Sequence, residues 1–302
     1  MTIIQAIIIG IVQGLTEFIP ISSTAHLIFA SRALDLFAGQ PQRAEQTTAA
    51  IAVVQLGTLV AVLIYFAPDI LAITVAFIRE HIALIGGSRR PNQTRAADGR
   101  IVQRRMRLSD DARLGWLVII GSVPVGVVGL LFKRQIEGTF TKNLWVIATM
   151  MVTIALLLAL AEKVSNKRRG MAELGIKDAL AVGCAQVLAL IPGASRSGST
   201  IMGGLFAGEK RDVAARFSFL LSIPAIAASG LLELKEAIHK LPPHSALPLA
   251  VATIVSGLVG YATIWFLLRY LRKHSTAVFI IYRLILGVTL LIMLWRGIIQ
   301  AR

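Results

Sequence analysis

Apolar segments recur along this 302-residue chain, and several are long enough to cross a membrane. A helix rises about 1.5 Å per residue, so about 20 consecutive apolar residues span the hydrocarbon core of a bilayer. Hydrophobic residues make up 56% of the chain and charged residues only 16%, which is too little charge to cover a soluble protein of this size. The sequence therefore predicts an all-α polytopic membrane protein. The six predicted spans are residues 47–66, 114–132, 143–161, 213–232, 246–268 and 276–295.

Two further apolar segments, residues 3–30 and 178–208, are interrupted by proline and polar residues. Pro20 precedes a Ser-Ser-Thr run in the first segment, and Pro192-Gly193 precedes a serine-rich run in the second. Irregular backbone at membrane depth is tolerated only where protein buries it or where it lines a water-filled cavity. We therefore predict two re-entrant helix hairpins, each of which returns to the side of the membrane from which it entered.

Basic residues predict how the chain is oriented. If both hairpins return to their own sides, about two-thirds of the 31 Lys and Arg residues fall on one side, in loops that include 67–113 and 162–177. An excess of Lys and Arg marks the cytoplasmic side, so both termini are predicted on the outer side. The Gly- and Arg-rich residues 86–113 are predicted to form a solvated cytoplasmic loop, with no role in binding nucleic acid.

The predicted topology has internal symmetry. The two hairpins enter from opposite faces, and each is followed by three spans. This arrangement predicts one membrane domain, residues 1–302, built as an inverted-topology repeat with a site where the hairpin tips meet.

Ionisable side chains are costly at membrane depth, so each one within the apolar segments is a candidate functional residue. There are four of them: Glu17, His26, Arg196 and Arg283. Only Arg283 lies outside the interrupted segments, and we predict a structural role for it within the helix bundle. The single cysteine, Cys184, excludes an intramolecular disulfide, and its apolar neighbours predict a buried, inert thiol.

The first interruption carries an amide, a carboxylate, hydroxyls and an imidazole. Gln13 and Glu17 are four residues apart and share one helix face. The hydroxyl residues that follow either cap a second helix or supply a nucleophile. His26 follows Ser23 by three residues, so its ring is expected to reach the Ser23 hydroxyl. The polar residues of this break are Gln13, Glu17, Ser22, Ser23, Thr24 and His26.

The second interruption surrounds one arginine with small and hydroxyl-bearing residues. Free N–H groups at the start of a helix bind anions, and glycine lets the backbone approach a ligand closely. Arg196 adds a planar set of donors that matches phosphate oxygens. A hinge between two half-helices is the alternative, but a hinge needs no arginine. We therefore predict a phosphate-binding site over Ser195, Arg196, Ser197, Gly198, Ser199 and Thr200.

The motifs at the two breaks resemble those of the bacterial undecaprenyl-diphosphatase family, whose members are also known as bacitracin-resistance proteins. Residues 13–26 read Q-G-L-T-E-F-I-P-I-S-S-T-A-H, and residues 192–200 read P-G-A-S-R-S-G-S-T. Similar stretches at 55–62, 217–224 and 281–283 extend the resemblance through nearly the whole chain. The resemblance implies hydrolysis of undecaprenyl diphosphate, a polyprenyl diphosphate lipid, to the monophosphate. It also implies a bacterial inner-membrane location and a site open to the outer face, where the reaction recycles the carrier for cell-wall synthesis.

The resemblance also implies a role for each site residue. Glu17 would be an acidic metal ligand or general base, and Ser23 the nucleophile or a hydroxyl that positions it. His26 would be an acid/base or a phosphate contact, and Arg196 would clamp the phosphates. The other implied phosphate-binding residues are Ser195, Ser197, Gly198 and Thr200.

A divalent cation, Mg²⁺ or Ca²⁺, is part of what the resemblance implies, with Glu17 and Gln13 as its ligands. Many family members have a second glutamate where this chain has Gln13. An amide adds no charge and cannot act as a base, so most ligands of the cation would have to be diphosphate oxygens and water. The sequence leaves open whether Ser22, Ser23, Thr24 or water is the nucleophile, and whether the chain forms a homodimer.

The main alternative function is a transporter or flippase for an isoprenoid phosphate or a small anion. Inverted repeats with broken helices are the usual architecture of transporters, and a phosphate-binding site would serve transport equally well. Transport needs no nucleophile, so the hydroxyl and imidazole groups near Glu17 favour the phosphatase.

Overall fold

A computed structural model describes residues 1–39, 42–86, 93–95, 101–103, 108–132, 135, 143–241 and 245–301. Eleven α-helices lie in these ranges. The first six are α1 (Ile3–Phe18), α2 (Ser23–Ala33), α3 (Arg43–Tyr65), α4 (Ala67–Ile85), α5 (Asp110–Leu131) and α6 (Leu144–Val164). The other five are α7 (Ile176–Val187), α8 (Arg196–Phe206), α9 (Arg211–Lys240), α10 (Ala246–Leu271) and α11 (Ala277–Trp295). Short 3₁₀ turns cover Met171–Glu173 and Leu188–Leu190.

Six of these helices are long and apolar enough to cross a membrane: α3, α5, α6, the Arg211–Leu232 part of α9, α10 and α11. They coincide with the six predicted spans, and the chain is a multi-pass membrane protein. Helix α4 is not among them, in keeping with the charges it carries.

Within the segment 86–113, which was predicted to be an irregular loop, the chain forms a small antiparallel hairpin. Strand β1 (Gln93–Arg95) pairs with strand β2 (Ile101–Gln103). The sequence between them contains Asp98-Gly99, a dipeptide typical of hairpin turns. Apart from this hairpin and the short turns, the regular structure of the described residues is α-helical, so the predicted all-α fold class is confirmed.

A second correction concerns Cys184, which is exposed on α7. Its burial was predicted from apolar neighbours. In a membrane protein, apolar residues cover the lipid-facing surface as well as the core, so such neighbours do not distinguish the two positions.

Both interrupted segments consist of two helices separated by a proline-containing break, as predicted. Helix α1 ends at Phe18 and α2 begins at Ser23, while α7 ends at Val187 and α8 begins at Arg196. Proline weakens a helix, because it lacks the N–H donor and clashes with the preceding turn. Helices α5 and α9 nevertheless continue through Pro124 and Pro224, so the polar and glycine residues next to Pro20 and Pro192 also contribute to the breaks. The two helices that follow the breaks, α2 and α8, both have 11 residues.

Helices pack closely where glycine faces the backbone of a neighbour. Helix α1 packs on α10, α3 on α9 and α10, α7 on α5, and α6 on α11. A Cβ atom on Gly57 of α3 would lie 2.1 Å from the Thr253 carbonyl oxygen of α10, and one on Gly183 of α7 would lie 2.2 Å from the Gly121 oxygen of α5. Small residues at these crossings allow the van der Waals packing that holds membrane helices together.

Charged residues stabilise the two ends of the second interrupted segment, where α7 begins and α8 ends. Arg169 pairs with the buried carboxylate of Asp178, and its backbone forms a bridge to Glu209. Glu209 is fully buried, and burial together with the nearby charge of Asp178 raises the pKa of its carboxyl to about 8. Glu209 is therefore mostly protonated and neutral at pH 7, which lowers the cost of burying it.

Replacing Gly57 by alanine is expected to separate α3 from α10. The added methyl group overlaps the Thr253 carbonyl, and overpacking of this kind costs about 1–3 kcal/mol of unfolding free energy. Thermal unfolding in detergent measures the loss. Gly129→Ala on α5 is the matched control, because a Cβ atom at Gly129 would meet no further atom of the described residues within 4 Å. Equal melting temperatures for the two variants would contradict the close α3–α10 contact.

Candidate active site

An ion pair joins the two breaks. The Arg196 guanidinium, in the first turn of α8, donates from Nη2 to Glu17 Oε1 in the last turn of α1, at 2.7 Å. The Glu17 side chain is only 7% exposed and that of Arg196 18%, so water screens the pair weakly. Two residues that are 179 positions apart in sequence thus meet at one place.

The second oxygen of the Glu17 carboxylate is held by Gln13. Gln13 Nε2 donates to Glu17 Oε2 at 3.0 Å and to the Thr58 hydroxyl at 3.3 Å. The amide nitrogen must face the carboxylate, so the orientation of the amide is fixed. Its oxygen, Gln13 Oε1, is buried and has no hydrogen-bond partner in the described part of the chain. Glu17 and Gln13 therefore form one unit, as their spacing predicted.

Arg283, in α11, ties both breaks to the helix bundle. Its side chain is fully buried. Nη1 donates to the Pro20 carbonyl of the first break at 3.3 Å, and Nη2 donates to the Gly193 and Ala194 carbonyls of the second at 2.9 and 3.0 Å. Nε donates to the Met151 carbonyl of α6 at 3.2 Å. The predicted structural role of Arg283 is therefore specific: it fixes the two tips next to each other.

Two serines share an unusual backbone conformation at the N-caps of α2 and α8. Ser22 has a φ of 77° and Ser195 a φ of 68°. Such angles are rare outside glycine and cost about 1–3 kcal/mol each, so they persist only where the surroundings impose them. The Ser195 hydroxyl accepts a hydrogen bond from Gly198 N at 3.2 Å, whereas the buried Ser22 hydroxyl has no partner among the described residues.

His26 is held by two partners, and neither is the Ser23 hydroxyl that the spacing predicted. Nδ1 bonds to the Ser22 carbonyl oxygen at 2.7 Å, and Nε2 bonds to the Tyr282 hydroxyl at 2.7 Å. The imidazole also stacks on the Tyr282 ring, with centroids 5.6 Å apart and planes within 14°. A carbonyl only accepts, so Nδ1 carries the hydrogen, and Nε2 of the neutral ring accepts from Tyr282.

The first residues of α2 present free hydroxyl groups. Ser23 is half-buried and Thr24 is exposed, and neither side chain has a hydrogen-bond partner in the described structure. Ser22 is 1% exposed. Of the three side chains among the candidate nucleophiles, Ser23 therefore combines a position at the break with a free and partly accessible hydroxyl.

The start of α8 offers backbone donors beside Arg196. The N–H groups of Arg196 and Ser197 precede the first hydrogen bond within the helix and have no partner among the described residues. A Cβ atom on Gly198 would lie 3.2 Å from Arg283 Nη1, so this glycine lets the buried guanidinium approach from behind. The Ser197 hydroxyl donates to the Ile19 carbonyl at 3.2 Å, which adds another link between the breaks.

Thr200 lies apart from the rest of the predicted phosphate-binding set. It is fully buried, and its hydroxyl donates to the Arg196 carbonyl at 2.7 Å and is hydrogen-bonded to Ser218 of α9. Thr200 therefore faces the neighbouring helix, where its hydroxyl is already satisfied.

The protein offers few ligands for a metal ion where the two breaks meet. Within the described ranges, no group of three or more His, Cys, Asp or Glu side chains could hold a metal. What the junction does offer is the Glu17 carboxylate and the unpartnered oxygen of Gln13. Two oxygen ligands fit a hard cation such as Mg²⁺ or Ca²⁺ that takes its remaining ligands from substrate and water.

Tyr282 and the anchoring contacts of Arg283 were not predicted from the sequence. An arginine inside an apolar span was a visible signal that Arg283 has buried partners. Tyr282 lies in one of the stretches that carry the resemblance, 281–283, but the sequence assigned it no role, because its partner, His26, is 256 residues away.

The chain is similar to known proteins over nearly its whole length. Residues 6–289 match the family model described as bacitracin resistance protein BacA. A protein named undecaprenyl-diphosphatase from Syntrophobacter fumaroxidans is 48% identical over 299 residues, which cover 98% of this chain and 99% of the relative. Proteins of the same name from Chloroherpeton thalassium and Chlorobaculum tepidum are 47% and 44% identical, over 100% and 98% of this chain and 100% and 99% of the relatives. The chain therefore belongs to the bacitracin resistance protein BacA family.

Proposed function

We propose that this protein hydrolyses undecaprenyl diphosphate to undecaprenyl phosphate and inorganic phosphate. The reaction returns the lipid carrier to cell-wall synthesis and confers resistance to bacitracin. The shared name of its relatives supports this substrate and reaction. The observation that carries the proposal is the Glu17–Arg196 pair, because it joins a carboxylate and hydroxyl groups to a set of anion-binding donors.

We infer that the two interrupted segments are re-entrant hairpins in an inverted repeat. The equal lengths of α2 and α8 and the matching backbones of Ser22 and Ser195 support this inference. Helix packing supports it too: α1 lies on α10 as α7 lies on α5, and α10 contacts α3 as α5 contacts α9. In such a repeat the site would lie near the midplane.

The protein would lie in the bacterial inner membrane, with both termini and the opening of the site on the outer face. The distribution of Lys and Arg supports this orientation, because the loops that carry most of them would then be cytoplasmic. Diphosphate produced by cell-wall polymerisation on the outer face would reach the site without crossing the membrane.

Substrate binding would use Arg196 and the free N–H groups of Arg196 and Ser197. Arginine presents paired donors that match phosphate oxygens, and a helix N-terminus favours negative charge. Phosphate oxygens would compete with Glu17 for the Arg196 guanidinium. Binding would therefore free one oxygen of the Glu17 carboxylate for a second role.

The nucleophile would be Ser23. Its oxygen forms a bond to the terminal phosphorus while the bond from that phosphorus to the bridging oxygen breaks. Undecaprenyl phosphate leaves with the bridging oxygen. For this step the Ser23 hydroxyl would replace the Tyr282 hydroxyl as the hydrogen-bond donor to Nε2 of His26 and pass its proton to that nitrogen. Water then attacks the same phosphorus, and the bond from phosphorus to the Ser23 oxygen breaks. The water oxygen becomes part of inorganic phosphate, one water proton passes to the Ser23 oxygen, and His26 releases its proton to solvent. Arg196 and the α8 N–H groups stabilise the charge on the phosphoryl oxygens.

Tyr282 would act as a positioning residue for His26. Its hydroxyl and the Ser22 carbonyl together keep the hydrogen on Nδ1, which leaves the lone pair of the ring on Nε2. The stacked tyrosine ring also limits rotation of the imidazole.

A divalent cation, Mg²⁺ or Ca²⁺, would be held by Glu17 and the oxygen of Gln13. When bound, it would neutralise part of the charge on the diphosphate. Gln13 in place of a second carboxylate leaves the protein with one negative ligand, so the substrate must supply more of the coordination.

Arg196→Lys is expected to lower kcat for phosphate release in detergent by about 10²-fold or more. Lysine keeps the positive charge but loses the planar pair of donors that stabilises the phosphoryl oxygens. Arg168→Lys, in an exposed loop, is the matched control and should retain full turnover. Wild-type turnover by a folded Arg196→Lys protein would exclude this residue from the site.

Glu17→Gln is expected to raise the half-saturating cation concentration by about tenfold or more, since the one charged ligand is lost. The measurement is phosphate release by chelator-treated protein as Mg²⁺ or Ca²⁺ is added back. Glu173→Gln, at an exposed acid outside the membrane, should titrate like the unmodified chain. An unchanged half-saturating concentration in Glu17→Gln would show that Glu17 does not bind the cation.

Tyr282→Phe removes the hydroxyl but keeps the ring that stacks on His26. It is expected to lower kcat about tenfold with little change in KM, because the imidazole loses its second hydrogen bond. In a His26→Ala background the same change should have no further effect. Equal losses in both backgrounds would mean that Tyr282 acts independently of His26.

A further inference from the structure

A groove lies at the C-terminal end of α10, away from the paired breaks. Its volume is about 520 Å³, and it is open at the protein surface. Its wall combines aromatic rings with positive charges, and none of the described residues that line it is acidic. We call this feature the α10 groove. Its principal lining residues are Trp265, Phe266, Arg269, Tyr270, Lys273 and His274.

The cations of the α10 groove are poorly neutralised by the protein. Arg272, which also borders it, is 3.9 Å from the Asp212 carboxylate, at the limit of an ion pair. Arg269 and Lys273 have no carboxylate partner in the part of the chain that the structure describes. An anion placed between these two side chains would therefore meet positive charge that no other group uses.

The aromatic residues lie on the membrane side of these cations. Trp265 and Phe266 are exposed, and Arg269 follows one turn later, about 6 Å further along the helix axis. The Arg269 guanidinium carbon lies 5.7 Å from the centre of the Trp265 ring. Tyr270, which also lines the groove, stacks on His274 with ring centroids 4.5 Å apart. The groove thus changes from apolar to cationic along the axis of α10 towards its C-terminal end.

We propose that the α10 groove binds the headgroup of an anionic phospholipid. The phosphate lies between Arg269 and Lys273, and the acyl chains run along Trp265 and Phe266. An anionic phospholipid presents the same order of groups, with apolar chains towards the membrane centre and phosphate at its surface. Juxtamembrane cations next to interfacial aromatic residues are a recognised setting for such lipids.

Two simpler roles for these cations explain less of the geometry. Basic residues at a helix C-terminus complement the helix dipole, and basic residues in cytoplasmic loops set topology. Either role would be served by cations without an aromatic wall. Lys163 and Arg168, at the C-terminal end of α6, provide that comparison, because both are exposed and neither borders the α10 groove.

The test is native mass spectrometry of the full chain in detergent, titrated with phosphatidylglycerol, phosphatidylcholine or undecaprenyl phosphate. The groove variant is Arg269→Gln with Lys273→Gln. The matched control is Lys163→Gln with Arg168→Gln, which removes the same charge. Removing each groove cation should weaken phosphatidylglycerol binding about fivefold. Phosphatidylcholine binding should not change, and the control should bind as the unmodified chain does.

Three outcomes would overturn the proposal. Equal weakening in the groove and control variants would indicate general electrostatic attraction without a site. Unchanged phosphatidylglycerol binding in a groove variant that melts at the normal temperature would show that the groove is not used. Groove-dependent binding of undecaprenyl phosphate but not of phosphatidylglycerol would assign the groove to the carrier lipid instead.

Discussion

Arg283 is buried in the last membrane helix, and all the partners of its guanidinium among the described residues are backbone carbonyls of the two breaks and of α6. Burying an unpaired guanidinium costs several kcal/mol, and unsatisfied carbonyls at membrane depth are also costly. Here the buried guanidinium and the unsatisfied carbonyls satisfy each other by hydrogen bonding. Pro20 and Gly193 leave carbonyls without helical donors, and Arg283 supplies those donors, so the breaks are stable only when they meet around this side chain.

The meeting of the breaks determines the electrostatics of the site. Glu17 and Arg196 neutralise each other, whereas the charge of Arg283 is not cancelled by a carboxylate among its described partners. Gly198 brings that charge close behind the first turn of α8. In a low-dielectric surrounding such a charge acts over a long distance. A diphosphate therefore binds to positive groups that are already held in place. The free-energy cost of orienting these groups is part of the free energy of folding and is not added on binding.

Local residue chemistry predicted the spans, the two breaks and the charged residues of the site. Long-range packing determined which faces of the helices are buried and which residues pair across the breaks. Pro20 and Pro192 are each followed by a run of small or hydroxyl-bearing residues, so the interruptions could be predicted directly, and Glu17 and Arg196 stood out as charges in apolar segments. The rotation of each helix could not be predicted, because lipid-facing and buried surfaces are equally apolar. For that reason Cys184 faces outward and Thr200 faces α9. The pairing of His26 with a residue of α11 has no local signature at all.

The central claim is that the site formed by the two interrupted segments hydrolyses a phosphoanhydride bond, rather than only binding and moving an anion. Product analysis by ³¹P NMR tests it most directly, using the purified chain in detergent with undecaprenyl diphosphate and a divalent cation. Micelles have no two compartments, so transport leaves no signal. The account predicts undecaprenyl phosphate and inorganic phosphate in equal amounts. Saturable binding of the diphosphate by folded protein, with no phosphate released, would contradict it and favour a transporter.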